Sequence, residues 1–183
     1  MEIIVIVDPP SDCRSALVEE LADRYGLIAV RQVHFDNVGA REVGIQRARG
    51  QFTQFLEAAD LLVPGKTDIQ VGEFHSKPEV EISISDYELC DAEGWNHWTA
   101  NTPIMACSQS PTNHPRLECG RSFSVPIHCA LFRRKFLIST KFPSADDDRD
   151  FWAAISSRSP HISWNGAVLA ISRIGTETGV TGF

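Results

Sequence analysis

The sequence is poor in the features that mark several large protein classes. No Lys/Arg block is longer than the Arg133-Arg134-Lys135 triplet, and 17 Lys+Arg stand against 24 Asp+Glu, a formal net charge of −7. Without a basic stripe there is no electrostatic footprint for nucleic acid or an anionic membrane surface, so neither is expected as a partner. No apolar run approaches the ~18 to 20 residues that span a bilayer, so no transmembrane segment is expected. Met1 to Val7 has no basic n-region and runs into Asp8 and the Pro9-Pro10 pair too soon for a signal peptide. Five cysteines, an odd number with no Cys-x-x-Cys, argue against a disulfide framework and for a reducing compartment. The cytoplasm is the expected location. Cys107, His114, Cys119, His128 and Cys129 are separated by 7, 5, 9 and 1 positions, which is not the paired spacing of a zinc site.

What is present suits one globular domain. The 183 residues are 43% hydrophobic and 22% charged, enough to bury a sizeable core. Ile3 to Val7 is a continuous β-branched run, the pattern of a strand buried on both faces of a parallel sheet. Ser11 is a candidate N-cap for a helix over 12–25 that Gly26 stops, and Leu27 to Val33 is the next strand, giving a β-α-β unit. Asp8 then stands at the carboxyl end of a strand, where open α/β sheets bind ligands. Ala40 to Arg49 reads as a helix and Gln51 to Leu56 as a buried strand. Glu57-Ala58-Ala59-Asp60 brings acidic groups to the same sheet edge. A short helix runs from Pro64-Gly65 to about Phe74, and Val80 to Ser85 alternates like a strand. Cys90 to Phe123 has no period and reads as a long irregular excursion with at most one or two strands, a length usually tied to function. Val125 to Phe132 is a strand, Asp147 to Ser156 a helix with an acidic first turn, and Trp164 to Ile171 a last strand.

Several pieces resemble the inverting nucleotide-sugar glycosyltransferases of family 2, which have the GT-A fold. Glu2-Ile3-Ile4-Val5-Ile6-Val7-Asp8 is similar to the family's E-I-I-V-V-D-D. Asn37-Val38-Gly39-Ala40-Arg41 through Ala48-Arg49-Gly50 and Phe55-Leu56-Glu57-Ala58-Ala59-Asp60 resemble its N-x-G…A-R-N…F-L-D-A-D-D stretch. Ser85-Asp86-Tyr87, His128 to Arg134 and Asp147-Asp148-Arg149-Asp150-Phe151-Trp152 resemble its Y-x-D, L-x-R-R and E-D-x-D-F-W elements, in order. The resemblance implies an α/β, Rossmann-like, mostly parallel sheet flanked by helices. It implies a nucleotide-sugar-binding half over 1–89 and an acceptor-binding half over 90–183 of a single domain.

The resemblance also implies roles. Asp8 and Arg41 would bind the nucleotide, Asp8 as acceptor for a base N–H. Glu57 and Asp60 would ligate Mn²⁺ or Mg²⁺, oxygen donors suiting such ions. Asp148 would be the general base that takes the acceptor hydroxyl proton, at a helix N-terminus that favours its ionised form. Asp86, Asp147, Trp95 and Trp98 would face the acceptor, and Arg133-Arg134 either a phosphate or solvent and salt-bridge partners. The expected reaction moves a sugar from a nucleoside diphosphate, UDP by expectation, to a saccharide or lipid-linked hydroxyl with inversion. Two departures favour a non-catalytic relative or binding module instead. Ala59 replaces the aspartate that usually contacts the metal, and the chain opens at the family's second strand, as an N-terminally truncated form would. A vacant interior strand position leaves ladder groups unpaired and predicts a homo-oligomer formed by strand addition.

Overall fold

In a computed structural model, the structure describes residues 1–7, 12–31, 37–94, 97–100, 107–109, 115–117, 125–142 and 148–174. Asp8, Ser11, Trp95 and Asp147 lie outside the described residues. The N-terminal unit is β1 (Ile4–Val7), α1 (Asp12–Tyr25) and β2 (Ile28–Arg31). β1 and β2 pair in parallel, Ile4 opposite Ile28 through Val7 opposite Arg31. Gly26, at φ +65°, takes the left-handed turn after α1, a conformation that costs a residue without Cβ little. α2 (Asn37–Arg47) packs on β1.

The remaining strands build a second, larger sheet. Along the chain come β3 (Phe52–Gln54), β4 (Leu61–Leu62), α3 (Lys66–Ser76), β5 (Ile82–Cys90), β6 (His97–Ala100), β7 (Cys107–Gln109) and β8 (Pro115–Leu117). A 3₁₀ turn at Ile127–Cys129 leads into β9 (Ala130–Arg133), then α4 (Arg134–Ile138), α5 (Asp148–Ser156) and β10 (Ile162–Arg173). The sheet order is β3-β9-β5-β10-β4, with β6 added to β5.

The α/β layering matches the sequence reading, and three details do not. The larger sheet is mixed rather than mostly parallel; β1 with β2 and β5 with β10 are the parallel pairs, and the other pairs described are antiparallel. The link from β5 to β6 shows the reason. Residues 91–96 are too few for the crossover of a dozen or more that a parallel return needs. Among the described residues, the stretch from Cys90 to Phe123 holds three short strands, β6, β7 and β8, as well as the end of β5. β1, finally, is not buried on both faces. Its four residues are half-buried and Ile3 is 46% exposed, because among the described residues β1 pairs with β2 alone. A cleft of about 280 Å³ lined by Val7, Val18, Glu19, Ala29 and Arg31 opens there.

Period-two alternation gives β5 two different faces. Ile82 and Ile84 point into an apolar core with Phe132, Phe136, Phe151, Trp152 and Ile155. Rings pack edge to face there, Phe132 to Phe151 at 6.0 Å, and Phe142 stacks on Phe151 at 4.8 Å. Trp152 Nε1 donates to Val125 O at 2.7 Å, so its burial strands no polar atom.

Ser83 and Ser85 point the other way, toward the side of the sheet that α3 covers. α3 follows Gly65, at φ +83°, and turns Lys66, Gln70 and Phe74 inward at helical spacing. Gln70 Nε2 donates to Ser83 O at 2.9 Å and Cys129 O at 3.2 Å. Glu73 accepts the Ser83 hydroxyl, and the Ser163 hydroxyl at 3.0 Å. Arg133 closes the far end of α3 by donating to Phe74 O and Val80 O at 2.9 and 2.6 Å, with its guanidinium over the Phe74 ring. Those contacts leave Arg133 a structural clamp rather than a phosphate ligand.

Candidate functional site

The turn that leaves β3 carries Glu57, Ala59 and Asp60. Asp60 N donates to Glu57 O at 3.1 Å, which holds the two acidic side chains on one tight turn. Into this turn reaches Arg41 from α2, its side chain 9% exposed. Arg41 Nη2 donates to Glu57 Oε1 at 3.0 Å and also to Asp148 Oδ1, at the first residue of α5. The guanidinium carbon lies 5.2 Å from the centre of the Phe151 ring, one turn further along α5, a cation–π contact that fixes its plane. Arg41 Nη1 is buried with no acceptor among the described residues. One guanidinium thus joins two carboxylates that come from positions 16 and 107 residues away in the chain. Burial raises the pKa of Glu57 above its ordinary value, and the nearby Asp148 charge adds to the rise while Arg41 opposes it. Glu57 and Asp148 remain reachable, with side chains 39% and 34% exposed.

Asp60 is engaged on both oxygens. Oδ2 accepts from His128 Nδ1 at 2.8 Å and Oδ1 from Arg173 N at 3.2 Å. His128 is 1% exposed, and its Nε2 has no partner among the described residues. Next to it, Cys129 is a buried thiol whose pKa burial pushes far up, with Lys66 opposing and the charges of Asp60 and Asp86 adding. Lys66 Nζ donates to Gln54 Oε1 at 2.7 Å and to Gln70 Oε1, and burial lowers its pKa to about 8.

Asp86, on β5, is 5% exposed and accepts from Trp164 Nε1 at 3.2 Å. Trp164 is 38% exposed on β10, and sequence reasoning missed it as a site residue. Its only signal was an aromatic on a strand whose register opposite Ile84 could not be known in advance. Trp98 stands on β6 opposite Leu89. The structure thus brings Arg41, Glu57 and Asp148 together, sets Asp60 beside them on the same turn, and pairs Asp86 with Trp164. His128 is the other residue that sequence reasoning did not place at the site.

No protein-family model and no curated protein matches the sequence. Solved structures do. TarS of S. aureus, residues 1–349, superposes with a TM-score of 0.66 at 12% identity over 94% of this chain and 51% of that one. The chain has a glycosyltransferase fold. The mannosyltransferase PcManGT of Pyrobaculum calidifontis, solved with GDP-Man and Mn²⁺, gives 0.66 at 16% identity over 97% of this chain and 49% of that one. TarS 1–349 in complex with UDP gives 0.63 at 14% identity, over 95% and 51%. This chain spans about half the length of these neighbours. Among the described residues no helix is long and apolar enough to cross a membrane.

The described residues do not by themselves offer a divalent cation of the kind PcManGT holds a ready set of ligands. Such an ion takes several oxygens at once. Here Ala59 supplies none, both oxygens of Asp60 are committed to His128 and Arg173, and Glu57 is joined to Arg41. Among the described residues no group of three or more His, Cys, Asp or Glu could hold a metal ion.

Proposed function

We propose that this chain binds a nucleoside diphosphate sugar and transfers the sugar, with inversion, to a hydroxyl of a saccharide or lipid-linked acceptor, in the manner of family 2. The observation that carries this reading is the convergence of Arg41, Glu57 and Asp148 from three separate segments onto one strand end of a glycosyltransferase fold. Neighbours of that fold hold UDP and GDP-Man, and uracil is the base we assign here. Residues 1–89 form the donor half, with Asp8 on the base, and residues 90–183 the acceptor half, with Asp86, Asp147, Trp95 and Trp98. The compartment we assign is the cytoplasm.

Asp148 is the general base. Arg41 holds Oδ1, and Oδ2 accepts the proton from the acceptor hydroxyl as that oxygen attacks the anomeric carbon. The bond from that carbon to the diphosphate breaks on the opposite face, and the nucleoside diphosphate leaves. Holding the base rigidly matters because misplacement by about 1 Å can cost about 100-fold in rate.

Calorimetric titration with UDP and GDP, together with release of UDP from a UDP-sugar with water in the acceptor's place, tests this. Saturable binding that Asp8→Ala weakens by about tenfold or more, with release abolished in Asp148→Asn, is the expected outcome. A folded chain that binds neither nucleotide overturns it. A second reading, a nucleotide-binding relative without transfer, is favoured by Ala59 and the committed oxygens of Asp60; binding without release supports that one.

A further inference from the structure

Resting on the nucleotide-binding reading, we propose that Arg41 is the site's built-in cation: it holds Glu57 and Asp148 in place of a divalent metal ion, so nucleoside diphosphate binding here is independent of metal. Three observations lead to it. The guanidinium sits between the two carboxylates, donating to both from Nη2. A divalent ion placed there would face a fixed positive charge at contact distance, and the burial of Arg41 weakens the screening of that repulsion. The third acidic group, Asp60, already accepts a hydrogen bond on each oxygen, from His128 and from the Arg173 backbone.

Arg41 is also built to stay. Its side chain is 9% exposed, its guanidinium carbon lies 5.2 Å over the Phe151 ring, and a planar fork of fixed donors suits two carboxylates at once. Nη1 remains buried without an acceptor among the described residues. A buried donor of this kind is costly unless satisfied, and a phosphate oxygen is an acceptor of the right chemistry. Arg41 is in this view a positioning residue for Asp148 and a direct ligand for the diphosphate. The site thus carries a fixed positive charge at Arg41 and no carboxylate at position 59.

The test titrates the whole chain with UDP in EDTA and again in Mn²⁺, and separately titrates the nucleotide-free chain with Mn²⁺ alone. The expected UDP dissociation constants agree within about threefold, and Mn²⁺ alone gives no saturable binding. Arg41→Gln exposes Glu57 and Asp148 to each other without a counter-charge. That variant is expected to acquire saturable Mn²⁺ binding and an Mn²⁺ dependence of UDP binding of about tenfold or more. Arg41→Lys, which keeps the charge, is expected to stay indifferent to Mn²⁺. UDP binding by the unaltered chain that needs Mn²⁺ overturns the inference and leaves the nucleotide-binding reading intact. Failure of Arg41→Gln to gain Mn²⁺ binding, in a variant whose melting is cooperative, also overturns it. Absence of UDP binding in every buffer overturns the nucleotide-binding reading and with it the metal-free diphosphate binding. The Mn²⁺ titration of the nucleotide-free chain then still decides whether Arg41 holds the cation's place.

Discussion

The two faces of the larger sheet solve the same packing problem in different ways. Toward α5, Ile82, Ile84, Phe132, Phe151 and Trp152 bury apolar surface and pack ring against ring. Toward α3, Ser83 and Ser163 meet Gln70, Glu73 and Lys77 through hydrogen bonds, and Lys66 donates to Gln54 and Gln70. The first face removes several hundred square ångströms of apolar surface from water, at roughly 25 cal/mol per Å². The second gains about 1 kcal/mol net per hydrogen bond and carries a desolvated ammonium that opposes folding. Stability resides chiefly on the α5 face. The α3 face sets the register of α3 against the sheet, because a slipped helix would leave buried Ser, Gln and Lys groups unpaired.

The largest expected effect comes from emptying the apolar face. Trp152→Ala removes a fully buried ring and its bond to Val125 O, and should cost about 3 to 5 kcal/mol in urea unfolding. A loss below about 1 kcal/mol would show that this face is not the main source of stability.

Next in size is the pH response of Lys66. Its pKa falls from 10.5 in the unfolded chain to about 8 when folded, so between those values the unfolded state binds more protons. Stability from this group is therefore lowest below pH 8 and recovers as pH rises toward 10.5, by about 3 kcal/mol in all. Lys66→Met should lack that rise, and parallel pH profiles for the two proteins would refute the assignment. Ser83→Ala, which strips one hydroxyl from Glu73, should cost about 1 to 2 kcal/mol, measured the same way at pH 7.

Hydrogen exchange sharpens the contrast from outside the larger sheet. β1, half-buried and paired on one edge among the described residues, should exchange its amides at least about 100-fold faster than Ile82 to Ser85. The smallest effect belongs to the surface. Arg24→Ala breaks an exposed helical pair with Glu20 at 2.6 Å, and should change stability by less than about 0.5 kcal/mol.

Much of this was legible in the residues. Ile82-Ser83-Ile84-Ser85 announces a strand with unlike faces, and Asp148 through Trp152 announces a helix that opens acidic and turns aromatic toward the core. The Arg41, Glu57 and Asp148 positions were each picked out by motif, yet no motif indicated that they bond to one another. Asp60 and His128 are 68 residues apart by number, and Asp86 and Trp164 are 78 apart. Both pairings depend on which strands become neighbours. The mixed strand directions were likewise hidden, since a strand's period is the same whichever way its neighbour runs.

The sequence by itself determined the local elements, because helix and strand periods, glycine turns and buried apolar positions act over a few residues. It also determined that no third carboxylate stands at position 59. Only the tertiary structure decided what the remaining charges do. Folding brings the Arg41 guanidinium between Glu57 and Asp148 and seats His128 on Asp60. Coulomb and hydrogen-bond energies depend on distance and burial, and chain separation fixes neither.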